Sequence, residues 1–119
     1  MCDDNPLSRY IVVPALFDQS VDANTSEAVE AGGRELIGVV IPSDWDGGNL
    51  TFYGSVDGAA TYQLITKEEG TSVLVTVTAS RAQMLSQTLP HIAGFEKIKL
   101  EASGTVAADR TVKCIFRDR

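Results

Sequence analysis

Short apolar runs rich in Val, Ile, Thr and aromatic residues alternate along the whole chain with clusters of Gly, Pro, Asp and Asn. This punctuation predicts strands joined by turns. The first run, Arg9 to Phe17, is interrupted by Pro14. Proline cannot donate to a ladder, so this run belongs at a sheet edge or bends there. Residues 18–25 are polar and read as a loop. Ser26 to Ala31 is a short strand or one helical turn, closed by Gly32-Gly33. Glu35 to Ile41 is the most apolar run and predicts a strand covered on both faces, stopped by Pro42. SDWDGGN (43–49) is a loop of turn formers around the only Trp. Leu50 to Ser55 and Thr61 to Thr66 both alternate. Asp57-Gly58 between them predicts a tight hairpin turn with Gly58 at positive φ.

Lys67 to Thr71 reads as a polar turn, and Ser72 to Thr78 as a β-branched strand. Arg81 to Ser86 predicts a further strand. Gln87 to Gly94 predicts a short helical turn that stops at the glycine. Phe95 to Ala102 alternates, with a slip that predicts a bulge at Glu96-Lys97. Arg110 to Arg117 places Val112, Cys114 and Phe116 on one face. Strand runs separated by turns about every 8–12 residues, with no long helical period, mean an antiparallel β-sandwich or small barrel. The expected class is all-β: a jelly-roll-like sandwich of about eight strands, with helix limited to short turns. Residues 1–34 are expected to form an N-terminal arm and the first strands, and 35–119 the sandwich body, within one domain. No repeat or low-complexity linker divides the chain.

Composition narrows the function. The chain has 119 residues and 44% hydrophobic content, enough for one self-sufficient core. No apolar stretch reaches the length of a membrane span. The start, MCDDNPLSRY, lacks the basic and apolar regions of a signal peptide, so synthesis in the cytoplasm is expected. A net charge of −6 disfavours nucleic acid as a partner. The charge is uneven: residues 1–46 hold nine acids and two bases, a net of −7, and the remainder is close to neutral. An acidic segment of this kind can orient one copy against Lys97, Lys99, Arg110, Lys113 or Arg117 of the next.

Reactive chemistry is sparse. Cys2 and Cys114 stand at opposite ends without CxxC spacing, and either remain reduced or form a terminal disulfide. His91 is the only histidine and follows Pro90 in a turn. No motif of a nucleophile elbow, zinc protease, phosphate loop or dinucleotide site occurs. No catalytic residue, cofactor or metal is therefore expected. Asp44, Asp46 and Asn49 form one cluster of oxygen donors, which reads as a plain turn or as the start of a calcium loop lacking its later bidentate Glu. As a glycosidase pair Asp44 and Asp46 have no supporting partners. Trp45 among them either folds back as a lid on the core or stands exposed as a platform for sugar or protein.

Several of these pieces recur together. Pro42, Trp45, Leu50-Thr51-Phe52, Ser55, Asp57-Gly58, Tyr62, Ser80-Arg81, Ser103-Gly104-Thr105 and Ala108-Asp109-Arg110 follow one another in order. The pattern, over residues 35–117, resembles a family of small β-sandwich proteins from the structural modules of tailed bacteriophages and related gene-transfer particles. The resemblance implies a non-enzymatic virion protein that decorates or cements the capsid or belongs to a head appendage such as a head-fibre base. Its implied partners are the major capsid protein or another virion protein, and copies of itself, with a trimer expected by analogy with decoration proteins. The apolar N-terminal run supplies candidate partner contacts at Leu7, Tyr10, Ile11, Val13 and Phe17, or is simply the first strand of the same domain. The alternative is a carbohydrate-binding module of a fibre or tail tip, using Asp44, Trp45, Asp46 and Asn49.

Overall fold

Side chains on a strand alternate between two faces, so each alternating run can bury one row and solvate the other. The computed structural model describes residues 10–58, 61–66, 70–71, 73–84 and 92–117. It contains eight strands: β1 (Tyr10–Phe17), β2 (Val29–Glu30), β3 (Glu35–Val40), β4 (Leu50–Ser55), β5 (Gln63–Leu64), β6 (Ala82–Met84), β7 (Lys97–Ala102) and β8 (Arg110–Arg117). They form two four-stranded antiparallel sheets, ordered β1-β8-β3-β6 and β2-β7-β4-β5, with no helix among the described residues. The sheets pack face to face as a sandwich. Phe17, Leu36, Val39, Val112, Cys114 and Phe116 from the first sheet share one core with Val29, Leu50, Phe52, Ile98 and Leu100 from the second.

The pairing follows a rule. β1 pairs with β8, β2 with β7, β3 with β6 and β4 with β5. The chain thus resembles one long hairpin, folded at the β4–β5 connection and wound around the core. Two further ladders, β3 with β8 and β4 with β7, close each sheet. Residues 10–30 therefore contribute a strand to each sheet and are woven into the body.

Several expectations are met locally. β1 is an edge strand, and Pro14 faces Lys113 across its only ladder. β3 is covered on both faces, with Leu36 through Val39 all buried. Leu50, Phe52 and Gly54 share the inner face of β4. Other expectations need correction. The connection after β4 is wider than a two-residue turn, because Gly54 stands opposite Gln63. Gly58 does take positive φ, at 72°. Asp57 holds the bend, accepting hydrogen bonds from Ser55 Oγ and the Thr61 amide. The expected bulge at Glu96-Lys97 is absent, since β7 pairs with β4 without a break from Lys97 to Ala102. The slip arises because β7 begins only at Lys97, and Phe95 packs beneath Gly54 from the loop before it. The register break falls instead in β3, between Leu36 and Gly38.

The β-branched stretch around Val75 is not a named strand. It meets β4 at a single bridge, Leu50 to Val75, because β5 already occupies the rest of that edge. Its alternation survives: Val73 and Val75 are buried and Leu74 is exposed. Gln83 of β6 pins it by accepting from the Thr78 amide and donating to the Thr76 carbonyl. The helical turn expected at 87–94 falls largely outside the described residues, as do Cys2, Leu7 and His91. Ile92 and Gly94 are described; Ile92 is buried and its carbonyl accepts from the Leu36 amide.

Candidate functional site

The loop from Pro42 to Asn49 crosses one end of the sandwich and brings most of the recurring sequence pieces together. The Pro42 carbonyl accepts from the Trp45 and Ser80 amides. The Trp45 ring then lies edge-on against Phe17, with centroids 5.1 Å apart and planes at 67°. Its Nε1 donates to the Gly48 carbonyl at 2.9 Å. Gly47 makes room for the indole, since a Cβ there would stand 2.6 Å from Trp45 Cζ2. The loop is stitched to the end of β7 by reciprocal bonds. The Asn49 amide donates to Ser103 Oγ, the Ser103 amide to the Asn49 carbonyl, and the Gly104 amide to the Gly47 carbonyl. Asn24 Nδ2 reaches Gly104 O from the other side.

Arg110, at the start of β8, ties the acids down. Its Nε lies 3.2 Å from Asp46 Oδ1 and its Nη1 3.5 Å from Asp44 Oδ2. Asp46 Oδ2 also accepts from the Ala107 amide at 3.1 Å. Partial desolvation pushes the Asp46 carboxyl up, but the Ala107 and Arg110 hydrogen bonds and the Arg110 charge outweigh it and hold it below the usual 3.8. The four residues Asp44, Trp45, Asp46 and Asn49 are thus neighbours in space, but they do not form an open platform. Trp45 packs against the core as a half-buried lid, and both acids turn to one guanidinium. Among the described residues no group of three or more His, Cys, Asp or Glu side chains is placed to hold a metal.

The candidate partner contacts on β1 divide between two faces. Phe17 is fully buried and belongs to the core, so it cannot touch a partner while the domain is folded. Ile11 and Val13 point the same way and pack half-buried against that core. Tyr10 is 39% exposed on the outer face, next to Val12 at 56%. Val12, absent from the sequence-based set, is the more accessible residue. The strict alternation of β1 puts the expected residues Ile11, Val13 and Phe17 on the inner row.

Sequence reasoning also missed an open groove of about 440 Å³. It lies between the loop at 18–28 and the outer face of the second sheet, and is lined by Asp18, Asp22, Thr25, Glu27, Tyr62 and Lys99 among others. Lys99 Nζ sits 4.5 Å from the centroid of the Tyr62 ring. The loop is firmly seated. Thr25 bridges Glu101, the Ser26 amide donates to the Leu100 carbonyl, and buried Ser26 Oγ accepts from the Leu100 amide. The sequence marked residues 18–25 as polar loop, but nothing in it said which sheet face the loop would approach. Comparison of the chain with protein-family models, curated proteins and solved structures finds no match in any of the three.

Proposed function

We propose that the chain is a non-enzymatic structural protein of a tailed-phage or gene-transfer particle, decorating or cementing the shell or forming part of a head appendage. One observation carries this. Several of the sequence pieces that resemble that family meet in one interlocked lid: Pro42, Trp45, Ser103-Gly104 and Arg110 are tied together through the loop at 42–49 and cap the core. Residues recurring in that arrangement serve to make a rigid end on a small sandwich, which is what a particle subunit needs. The pairing of β1 with β8 through β4 with β5 supports a jelly-roll winding, an architecture common in capsid proteins. In this proposal the chain is made in the bacterial cytoplasm and works by contact with the major shell protein and with copies of itself. The test is co-expression with the major shell protein encoded in the same genome, followed by gradient sedimentation. The chain is expected to travel with assembled shells. Recovery only at the top of the gradient, with shells present, would refute the proposal.

A further inference from the structure

We infer that the groove between the loop at 18–28 and the outer face of the second sheet is a binding site for an uncharged saccharide unit. Its volume, about 440 Å³, lies in the ordinary range for small-ligand sites. Its chemistry selects the ligand. One wall carries three carboxylates, Asp18, Asp22 and Glu27, and the other carries the Lys99 ammonium beside the Tyr62 ring. Among the described residues none of these acids is in a salt bridge.

The two aspartates keep spare acceptors in fixed directions. Asp18 Oδ1 is occupied by the Ser20 amide and hydroxyl, and Asp22 Oδ1 by the Asn24 and Thr25 amides. Each leaves its Oδ2 for a ligand. The three carboxylates repel an anion, and a cation could use the carboxylates but not the Lys99 donor. A hydroxyl pair satisfies both walls, because one oxygen can accept from the ammonium while its neighbour donates to a carboxylate. The Tyr62 ring adds an apolar surface suited to the C–H face of a pyranose. Lys99 is held over that ring only by a weak, half-exposed contact and can swing aside. The groove is preformed by the Ser26 and Thr25 contacts to β7, so little ordering accompanies binding. This site is separate from the Trp45 loop and does not depend on attachment to a particle.

The test is amide-resolved NMR titration of the full chain with lactose, maltotriose and N,N′-diacetylchitobiose. Glycerol, lysine amide and glucose 6-phosphate serve as the small-polyol, cationic and anionic arms. At least one neutral sugar is expected to shift the amides of Asp22, Thr25, Glu27, Tyr62 and Lys99, with millimolar affinity. Lys99→Met and Glu27→Gln, both at solvent-accessible positions, should each weaken that binding by roughly tenfold, as expected for losing a charged hydrogen bond, while leaving the spectrum native. The inference is overturned if no neutral sugar moves these amides at about 50 mM, a concentration that would populate even a very weak site. It is equally overturned if glycerol, the amine or the phosphate acts as strongly at the same amides. Sugar-induced shifts confined to residues 44–49, or full binding by Lys99→Met, would also overturn it.

Discussion

Replacing Gly47 with alanine tests the lid directly. Gly47 does not have a left-handed backbone, so the added methyl brings no conformational strain, only contact. The new Cβ would stand 2.6 Å and 2.7 Å from two indole carbons of Trp45 and 3.0 Å from the Ala102 Cβ. Ala102 is fixed in β7, so the indole must yield. Moving it breaks the Nε1 bond to Gly48 and the edge contact with Phe17. Overpacking of this kind costs about 1–3 kcal/mol, a sizeable share of the roughly 5–15 kcal/mol typical of a domain. Trp45 is the only tryptophan, so its emission reports both its own environment and unfolding. In urea the midpoint should fall by roughly 0.5–2 M, and native emission should shift to the red. Gly33→Ala is the control. Its φ is +76° and nothing lies within 4 Å of its Cβ, so backbone strain alone should act and native emission should stay unchanged. In a Trp45→Ala background followed by circular dichroism, the methyl has room, and Gly47→Ala should become nearly silent. An unshifted midpoint with native emission, or the same loss in both backgrounds, would refute the steric account.

Three further outcomes follow from local geometry. Gly58→Val places a β-branched residue at φ 72° and should cost on the order of 1–3 kcal/mol, read as a melting temperature lower by several degrees. Asp46 has its pKa lowered in the folded chain, so around 3.8 the unfolded chain binds more protons. Its contribution is present above that value and lost as pH falls through the folded one. Asp46→Asn should therefore lower the melting temperature near neutrality and converge with the native protein toward about pH 2, and parallel curves across that range would count against it. Burial pushes the Cys114 thiol up to about 12, so in a Cys2→Ser background a disulfide reagent should find no reactive thiol until the protein unfolds. Rapid labelling of the native state would contradict its placement in the core.

Legibility in the sequence tracked the kind of signal each element carried. β4 and β8 are readable because their inner rows, such as Val112, Cys114 and Phe116, are both apolar and alternating, and β3 because its apolar run is continuous and covered on both faces. The stretch around Val75 carries the same signal, yet composition cannot show that β5 already fills the edge of β4. β5 itself shrinks to Gln63–Leu64 because the bend after Ser55 is wide. The bulge went to Ile37 instead of Glu96 because alternation slips wherever a strand starts late as well as where it bulges. The Trp45 loop was recognisable as a turn with a decision to make, lid or platform. Arg110 and Phe17, which decide it, lie far away in sequence. The groove was invisible for the same reason, since Tyr62 and Lys99 meet the loop at 18–28 only through the winding of the sheets.

That winding also reinterprets the uneven charge. Pairing early strands with late ones brings acids of the front half against bases of the near-neutral rear half within one chain. Glu30 of β2 meets Lys97 of β7 at 3.0 Å, Glu35 of β3 meets Arg117 of β8, and Asp44 and Asp46 share Arg110. Three of the five bases expected to face a neighbouring copy are therefore already paired at home, and Lys99 rests over Tyr62. Of these five bases, Lys113 alone is exposed with neither an ion pair nor a ring contact among the described residues, and a single exposed pair contributes less than about 1 kcal/mol. β1 pairs with a neighbour on one side only, but Pro14 removes an amide from the strand and blunts strand addition. In the proposed assembly, the outer face of the first sheet, where Val12 and Tyr10 are exposed beside each other, is an apolar surface that a second copy would cover. Burial there gains from the loss of apolar surface to water and not from charge. On the proposal that copies meet at this face, their association should change little between about 0.05 and 0.5 M salt, a range over which exposed ion pairs are strongly screened. It should fall sharply in Val12→Lys, which leaves the inner row of β1 intact. Sedimentation equilibrium measures both. A complex that dissociates with salt but tolerates Val12→Lys would return the interface to the charges and away from this face.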